Sequence, residues 1–201
     1  MFFGTHNCLS YSGLKRWWLY PFYFVGRCQK VSIEEQYEKY GSRFFDIRIL
    51  ATKKETMESA HGLLVFKKDV DDALAYLNKK GDCYVRIVLE QNHKKSDQKL
   101  RDDIFVKKCK TIESKYKLIK FTGGVRKYDK KLLYDFGNAE PKTAELYSSV
   151  TSLFRSKSVF LRIIDDWFPW FYAKLNNKKN IAKLKESDEY DCLMVDFINI
   201  Q

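Results

Sequence analysis

Glycine and proline are scarce in this chain, nine and three in 201 residues. That scarcity argues against a turn-rich sandwich and for helices alternating with strands. The five cysteines (8, 28, 83, 109 and 192) are odd in number and show no Cys-x-x-Cys spacing. They form neither a disulfide framework nor a sequence-legible zinc motif, which favours reducing surroundings. Long hydrophobic runs are missing too. The apolar stretch Trp17 to Val25 covers nine residues, far short of the roughly 20 that span a bilayer. Lys15-Arg16 ahead of it gives the layout of a signal peptide, but no small-residue cleavage site follows. Histidine is rarest of all the groups that titrate near neutral pH, with three in the chain.

What is present is a globular composition, 45% hydrophobic and 31% charged, in a length that suits a single domain over residues 1–201. The formal net charge is +11, from 37 Lys and Arg against 26 Asp and Glu. Such a surplus draws a protein to polyanions, whether nucleic acid or anionic lipid headgroups. The lysines are spread over many segments, so much of the surplus is a solvated, solubilising surface.

Along the chain, Met1-Phe2-Phe3 reads as a strand stub ending at Gly4. Ser32-Ile33-Glu34-Glu35 has capping-box spacing and opens a helix closed by Gly41. Arg43 to Ile49 reads as a buried parallel strand, and Met57 to Ala60 as a shorter one. Val70, Leu74 and Leu77 mark a helix stopped at Lys79-Lys80-Gly81, before a strand from Tyr84 to Leu89. Leu100, Ile104 and Ile112 predict a helix from Ser96 to about Lys115. Further strands are expected at Lys117 to Phe121, Lys131 to Phe136, Val159 to Ile164 and Cys192 to Ile198. Helices are expected from Pro141, with Leu146, Val150 and Leu153 as its stripe, and from Asn180 to Glu186. Eight strands with helices between most of them predict an α/β fold, a small, irregular or incomplete TIM-like (β/α) barrel. A doubly wound open sheet is the alternative.

In that frame His6, Asp46 with Arg48, His61, Glu90 and Asp196 fall at the carboxyl ends of expected strands one, two, three, four and eight. Strand eight closes onto strand one in a barrel, so these groups converge on the rim where barrel enzymes work.

The words that carry them are Gly4-Thr5-His6-Asn7, Phe45-Asp46-Ile47-Arg48, His61-Gly62 and Val195-Asp196-Phe197-Ile198-Asn199. They resemble bacterial phosphatidylinositol-specific phospholipase C, and more loosely the catalytic X region of the eukaryotic enzymes. The resemblance covers residues 1 to about 90 and 192 to 200. It implies an irregular barrel, His6 as general base, His61 as general acid, Asp196 orienting His6, and Arg48 neutralising phosphoryl oxygens. Asn7, Asp46 and Glu90 match calcium ligands of the eukaryotic enzymes, whereas Arg48 fills the fourth ligand position. The expectation is therefore catalysis without a cofactor, with calcium on Asn7, Asp46 and Glu90 as the alternative. In the metal-free case these three residues contact substrate. Asp135, together with Asp165 and Asp166, is a further candidate for substrate hydroxyls, and His93 falls in a polar surface loop.

The chemistry of the residue types agrees. A phosphodiester flanked by a hydroxyl can be cleaved by that hydroxyl when a base removes its proton and an acid protonates the departing oxygen. A guanidinium suits the charge that builds on the nonbridging oxygens. The expected activity is cleavage of phosphatidylinositol-type phosphodiesters through a cyclic inositol phosphate. The alternatives are a noncatalytic module binding phosphoinositides or other phosphorylated ligands, and a phosphodiesterase with another substrate.

All four tryptophans lie in two aromatic blocks, Trp17 to Phe24 and Trp167 to Tyr172. Trp17, Trp18, Trp167 and Trp170 are the candidates for contact with a membrane interface, while other rings of the blocks pack the outer layer. The expected partners are phosphatidylinositol or a related phospholipid and an anionic membrane surface. No nucleic acid is expected, since the aromatic blocks do not interleave with basic residues. The expected location is the cytoplasm or the membrane periphery, without a signal peptide, in a cellular or virus-encoded setting.

Overall fold

The structure, a computed structural model, describes residues 1–90, 97–147, 158–159 and 168–200. Its strands are β1 (Phe2–Thr5), β2 (Ser42–Ala51), β3 (Met57–His61), β4 (Leu64–Asp69), β5 (Cys83–Leu89), β6 (Ile119–Arg126), β7 (Thr143–Glu145) and β8 (Cys192–Val195). Its helices are α1 (Tyr23–Gly26), α2 (Ile33–Glu38), α3 (Val70–Lys80), α4 (Gln98–Lys115) and α5 (Pro169–Lys185). The strands form one eight-stranded sheet. Its backbone is a parallel run ordered β7-β8-β1-β2-β5-β6, extended by the β3–β4 hairpin, which pairs antiparallel with the end of β2. Among the described residues the sheet does not close into a barrel.

Alternation along the strands sorts side chains onto two faces. Phe45, Ile47 and Ile49 of β2 join Val85, Ile87 and Leu89 of β5 against α3 and α4 in the main core. Leu193 and Val195 of β8 pack with Ile181 and Leu184 of α5. Phe44, Tyr84, Cys192 and Met194 belong to the opposite face, where Tyr147 joins them. Asp46, Arg48, Arg86 and Asp196 continue that second series, so polar groups line the face turned away from the helices.

Local chemistry sets the helix ends. Ser32 and Glu35 make the reciprocal capping box at α2. Asp69 caps α3 by accepting from the amides of Asp71 and Asp72, and Gly81 ends it at a φ of 66°. Pro169 sits in the first turn of α5.

Several expectations are corrected here. Met57 to Ala60 is the first arm of a hairpin and not a parallel barrel strand. Only residues 52–56 separate it from β2, tied by Thr52 N donating to Thr56 O at 2.9 Å, and a parallel return needs a dozen residues or more. The second arm, β4, went unpredicted because Gly62-Leu63 alone makes the turn, with His61 paired to Leu64. Lys131 to Phe136 makes one bridge, Leu132 to Val125, instead of a strand. Pro141 does not begin a helix; the chain extends there and pairs Thr143 with Cys192. The helix expected from Asn180 begins eleven residues earlier, at Pro169. Leu100 is exposed on α4, whose buried side chains include Ile104, Phe105, Cys109 and Ile112. Apart from Val159, the strand expected at Val159 to Ile164 lies outside the described residues, as do Ser96, Val150 and Leu153.

Candidate active site

The polar groups gather at the carboxyl ends of β8, β1, β2 and β5, where backbone amides and loops open a parallel sheet to ligands. His6 follows β1 and is 5% exposed. Its Nδ1 lies 2.7 Å from Asp196 Oδ1, an arrangement in which Nδ1–H donates and Nε2 keeps its lone pair. Nε2 is buried and has no hydrogen-bond partner among the described residues. Tyr147 stacks flat on the imidazole at 3.8 Å, fixing the ring plane.

His61, at the end of β3, faces His6 edge-on with ring centroids 5.8 Å apart. Its Nδ1 is 3.2 Å from the carbonyl of Gly26. A Cβ at Gly26 would sit 2.4 Å from Leu64 Cδ1 and 3.3 Å from His61 Nδ1, so the Leu64 side chain would have to move. Gly62, at a φ of +60°, donates its amide to Glu90 Oε1 at 2.7 Å, so the His-Gly step is held from β5.

Between the strands, Asp46 is fully buried and serves three donors. Arg48 Nε reaches Oδ2 at 3.0 Å, Arg86 Nε reaches Oδ1 at 2.8 Å, and the Asn7 amide reaches Oδ2 at 3.2 Å. Register explains the second bond, since Asp46 and Arg86 are direct partners across β2 and β5. Arg48 also lies 3.8 Å from Glu90 Oε2, and Lys127 bonds Glu90 Oε1. Asn7 is in the left-handed region at a φ of 43°, which asparagine tolerates. Both polar atoms of its side chain are buried without a partner among the described residues.

Burial first, then the Arg48 charge, holds the His6 imidazole well below 6.5. The same two causes bring His61 down to about 4, against opposition from Glu90. Burial pushes Asp196 upward, whereas Asp46 is driven down because Arg86 and Arg48 overcome its burial. Glu90 is lowered despite burial by His61, Lys127 and Arg48. Both rings are thus neutral at neutral pH.

A pH dependence of stability follows. Burial and Arg48 lower both His6 and His61, so the two rings act in the same direction below their ordinary value. Below about pH 6.5 an unfolded His61 takes a proton while the folded one resists until about 4. Stability therefore falls as pH drops through that interval. Thermal unfolding from pH 7 to 4 should show a smaller loss for His61→Asn than for the unsubstituted protein; equal losses would refute the assignment.

Every catalytic residue expected from the sequence, His6, His61, Arg48 and Asp196, is in this cluster, as are Asn7, Asp46 and Glu90. Asp135 is not. It is exposed, and its Oδ1 accepts from the Gly137 amide at 2.8 Å in a local turn. His93, Asp165, Asp166 and Trp167 lie outside the described residues. Sequence reasoning missed Arg86, whose NH1 also binds Glu145 at 2.9 Å and Glu140 at 3.2 Å. Its place two residues after Tyr84 and four before Glu90 was the available signal, because alternation puts all three on one face. It also missed Gln29. That buried amide donates to the carbonyls of His6 and Val195 at 3.2 and 2.9 Å and accepts from the Ile198 amide at 3.1 Å, locking the ends of β1 and β8 together.

Beside the site the two aromatic blocks meet. Phe24 stacks on Phe168 at 5.3 Å, and Tyr20, Tyr23, Phe171, Trp170 and Phe197 join them around a cavity of about 840 Å³. Phe197 is adjacent to Asp196 in sequence. Trp17, Trp18 and Trp170 are 76%, 57% and 44% exposed, and Lys174 lies over the Trp170 ring at 5.0 Å. Among the described residues no helix is long and apolar enough to cross a membrane.

No protein-family model matches the chain, and no curated protein matches it by sequence. Solved structures do match. The phosphatidylinositol-specific phospholipase C of Listeria monocytogenes is 19% identical, with a TM-score of 0.55 over 96% of this chain and 86% of that one. A Staphylococcus aureus phosphatidylinositol-specific phospholipase C, from work on its membrane binding, is 16% identical with a TM-score of 0.58 over 96% and 84%. The F249X mutant of the S. aureus enzyme is 13% identical, with a TM-score of 0.54 over 96% and 85%. At these identities the likeness is one of fold: the chain's fold is similar to that of these phosphatidylinositol-specific phospholipases C.

Proposed function

We propose that this protein cleaves phosphatidylinositol-type phosphodiesters by paired-histidine acid/base chemistry. The observation that carries the reading is the His6–Asp196 bond at 2.7 Å, with a buried Nε2 that makes no hydrogen bond among the described residues and with the His61 ring edge-on 5.8 Å away. Fold likeness to the Listeria and Staphylococcus phospholipases supports it.

In this mechanism His6 Nε2 takes the proton of the hydroxyl next to the phosphodiester, and that oxygen attacks phosphorus. The bond to the lipid oxygen breaks on the opposite side, where His61 supplies the proton. Asp196 keeps the base in the right tautomer and stabilises the imidazolium that forms. Arg48 meets the charge on the nonbridging oxygens, anchored by Asp46 and Glu90 so that little reorganisation is needed. A phosphate anion between the rings raises His61 enough for it to carry the proton. The Asn7 side-chain amide, which makes no hydrogen bond among the described residues, is assigned to substrate oxygens.

The reading requires no metal. A calcium ion on Asn7, Asp46 and Glu90 would meet carboxylate oxygens already bound to Arg48, Arg86 and Lys127, and fixed cations there oppose a second one. The aromatic surface is assigned to an anionic membrane, with Trp17, Trp18 and Trp170 entering the headgroup layer.

The test is incubation with phosphatidylinositol in vesicles, with and without chelator, following phosphorus for a cyclic product. A Trp17→Ala/Trp18→Ala variant should lose at least about tenfold on vesicles and little on a short soluble analogue, because buried ring area contributes roughly 25 cal/mol per Å² to the interface alone. Equal losses on both substrates would show that these rings support the fold. Vesicle binding with no product at all would leave a noncatalytic phosphoinositide module.

A further inference from the structure

Cys28 carries no assigned step in this chemistry, yet its thiol bonds the Asp196 side chain and its sulfur stands at the edge of the histidine pair. It is 4.0 Å from His61 Nδ1. One ring nitrogen of His6, one of His61 and the Cys28 sulfur all lie within 4.8 Å of one another. We infer that His6, Cys28 and His61 form a binding site for a thiophilic divalent cation, zinc above all, and that occupancy switches the enzyme off by capturing the base; the inhibitory half of this inference rests on the catalytic reading above.

Two imidazoles and a thiolate are a donor set that zinc prefers and calcium does not. Zinc bonds of about 2.0–2.3 Å from a central ion place donor atoms somewhat closer than they now stand, so small side-chain rotations close the site. The second observation is the His6 Nε2 atom, nine-tenths or more buried and without a hydrogen bond among the described residues, its nearest charged contact being Asp46 Oδ2 at 3.8 Å. With Nδ1 bonded to Asp196, Nε2 is the His6 nitrogen open to an ion, and Asp196 would then supply the outer support that orients a metal-bound histidine. Nearby Arg48 opposes this cation as it does calcium, but Asp46 and Glu90 offset part of its charge and the thiolate formed at Cys28 supplies negative charge directly to the ion. His61 is half-buried, which leaves a way in for the ion. Burial and the Asp196 charge keep the Cys28 thiol protonated in the free protein. On binding, the S–H bond breaks, an S–Zn bond forms, and one proton passes to solvent; nothing is oxidised or reduced.

The experiment titrates zinc into the full chain against a chromophoric chelator, and cobalt(II) in parallel to record its spectrum. One equivalent should bind, with a thiolate-to-cobalt charge-transfer band. Cys28→Ala and Cys28→Ser, each checked for folding by thermal unfolding, should lose the band and weaken zinc by about a hundredfold or more, since even outer-shell losses cost about 10–100-fold. In the vesicle assay, zinc should stop the unsubstituted protein and chelator should restore it. Cys28→Ala, measured against its own rate without zinc, should need at least about a hundredfold more zinc to be stopped. Undiminished zinc affinity in both folded variants, or a cobalt spectrum without the thiolate band, overturns the site. One zinc bound through these three residues in a protein that cleaves no phosphodiester supports the site and overturns only the catalytic reading.

Discussion

Replacing His6 with alanine should lower turnover on phosphatidylinositol vesicles by about 10²–10⁴-fold, the range for a lost general acid or base. The expectation rests on its geometry. His6 Nδ1 is committed to Asp196 at 2.7 Å and its ring is clamped flat by Tyr147 at 3.8 Å, so one nitrogen is left for the proton. The fold should survive, because the main core is built from β2, β5, α3 and α4 on the other face of the sheet. His61→Ala should cost a similar factor through a different step. A substrate whose leaving group needs no protonation should restore much of the His61→Ala rate and none of the His6→Ala rate. If both variants keep more than about a tenth of the activity, or if the activated substrate rescues them equally, the division into base and acid is wrong.

Arg48→Ala should cost about 10²–10³-fold, the scale for removing a donor aimed at developing charge. Arg48 is held on Asp46 at 3.0 Å and lies 3.8 Å from Glu90, so its guanidinium is positioned before substrate arrives. Asp46 remains paired with Arg86 at 2.8 Å in the variant, which limits the loss of stability. Lysine at position 48 should recover only part of the rate, since it restores a charge without the planar fork. The unsubstituted protein should work undiminished in excess chelator. Abolition by chelator and restoration by calcium would make Asn7, Asp46 and Glu90 ligands and remove the role assigned to Arg48.

Gln29 shows why part of the site was not legible in the sequence. Nothing marks this residue in the aromatic-to-basic stretch it occupies, yet its side chain binds the Val195 carbonyl 166 residues further along the chain. Cys28 is similar, a lone thiol by spacing that folding brings beside two histidines.

By itself the sequence determined what local chemistry controls. The capping box at Ser32, the Val70 to Gly81 helix and the strand at Tyr84 to Leu89 depend on residues within one or two turns of each other. The site histidines were legible because each sits in a short word at a strand end. Tertiary structure decided which edges meet. It made Met57 to His61 a hairpin arm, carried β7 to β8 in place of a helix at Pro141, and set Asp46 opposite Arg86. Those outcomes depend on register and on contacts between distant segments, and alternation along one strand gives the face of a residue but never its partner across the sheet.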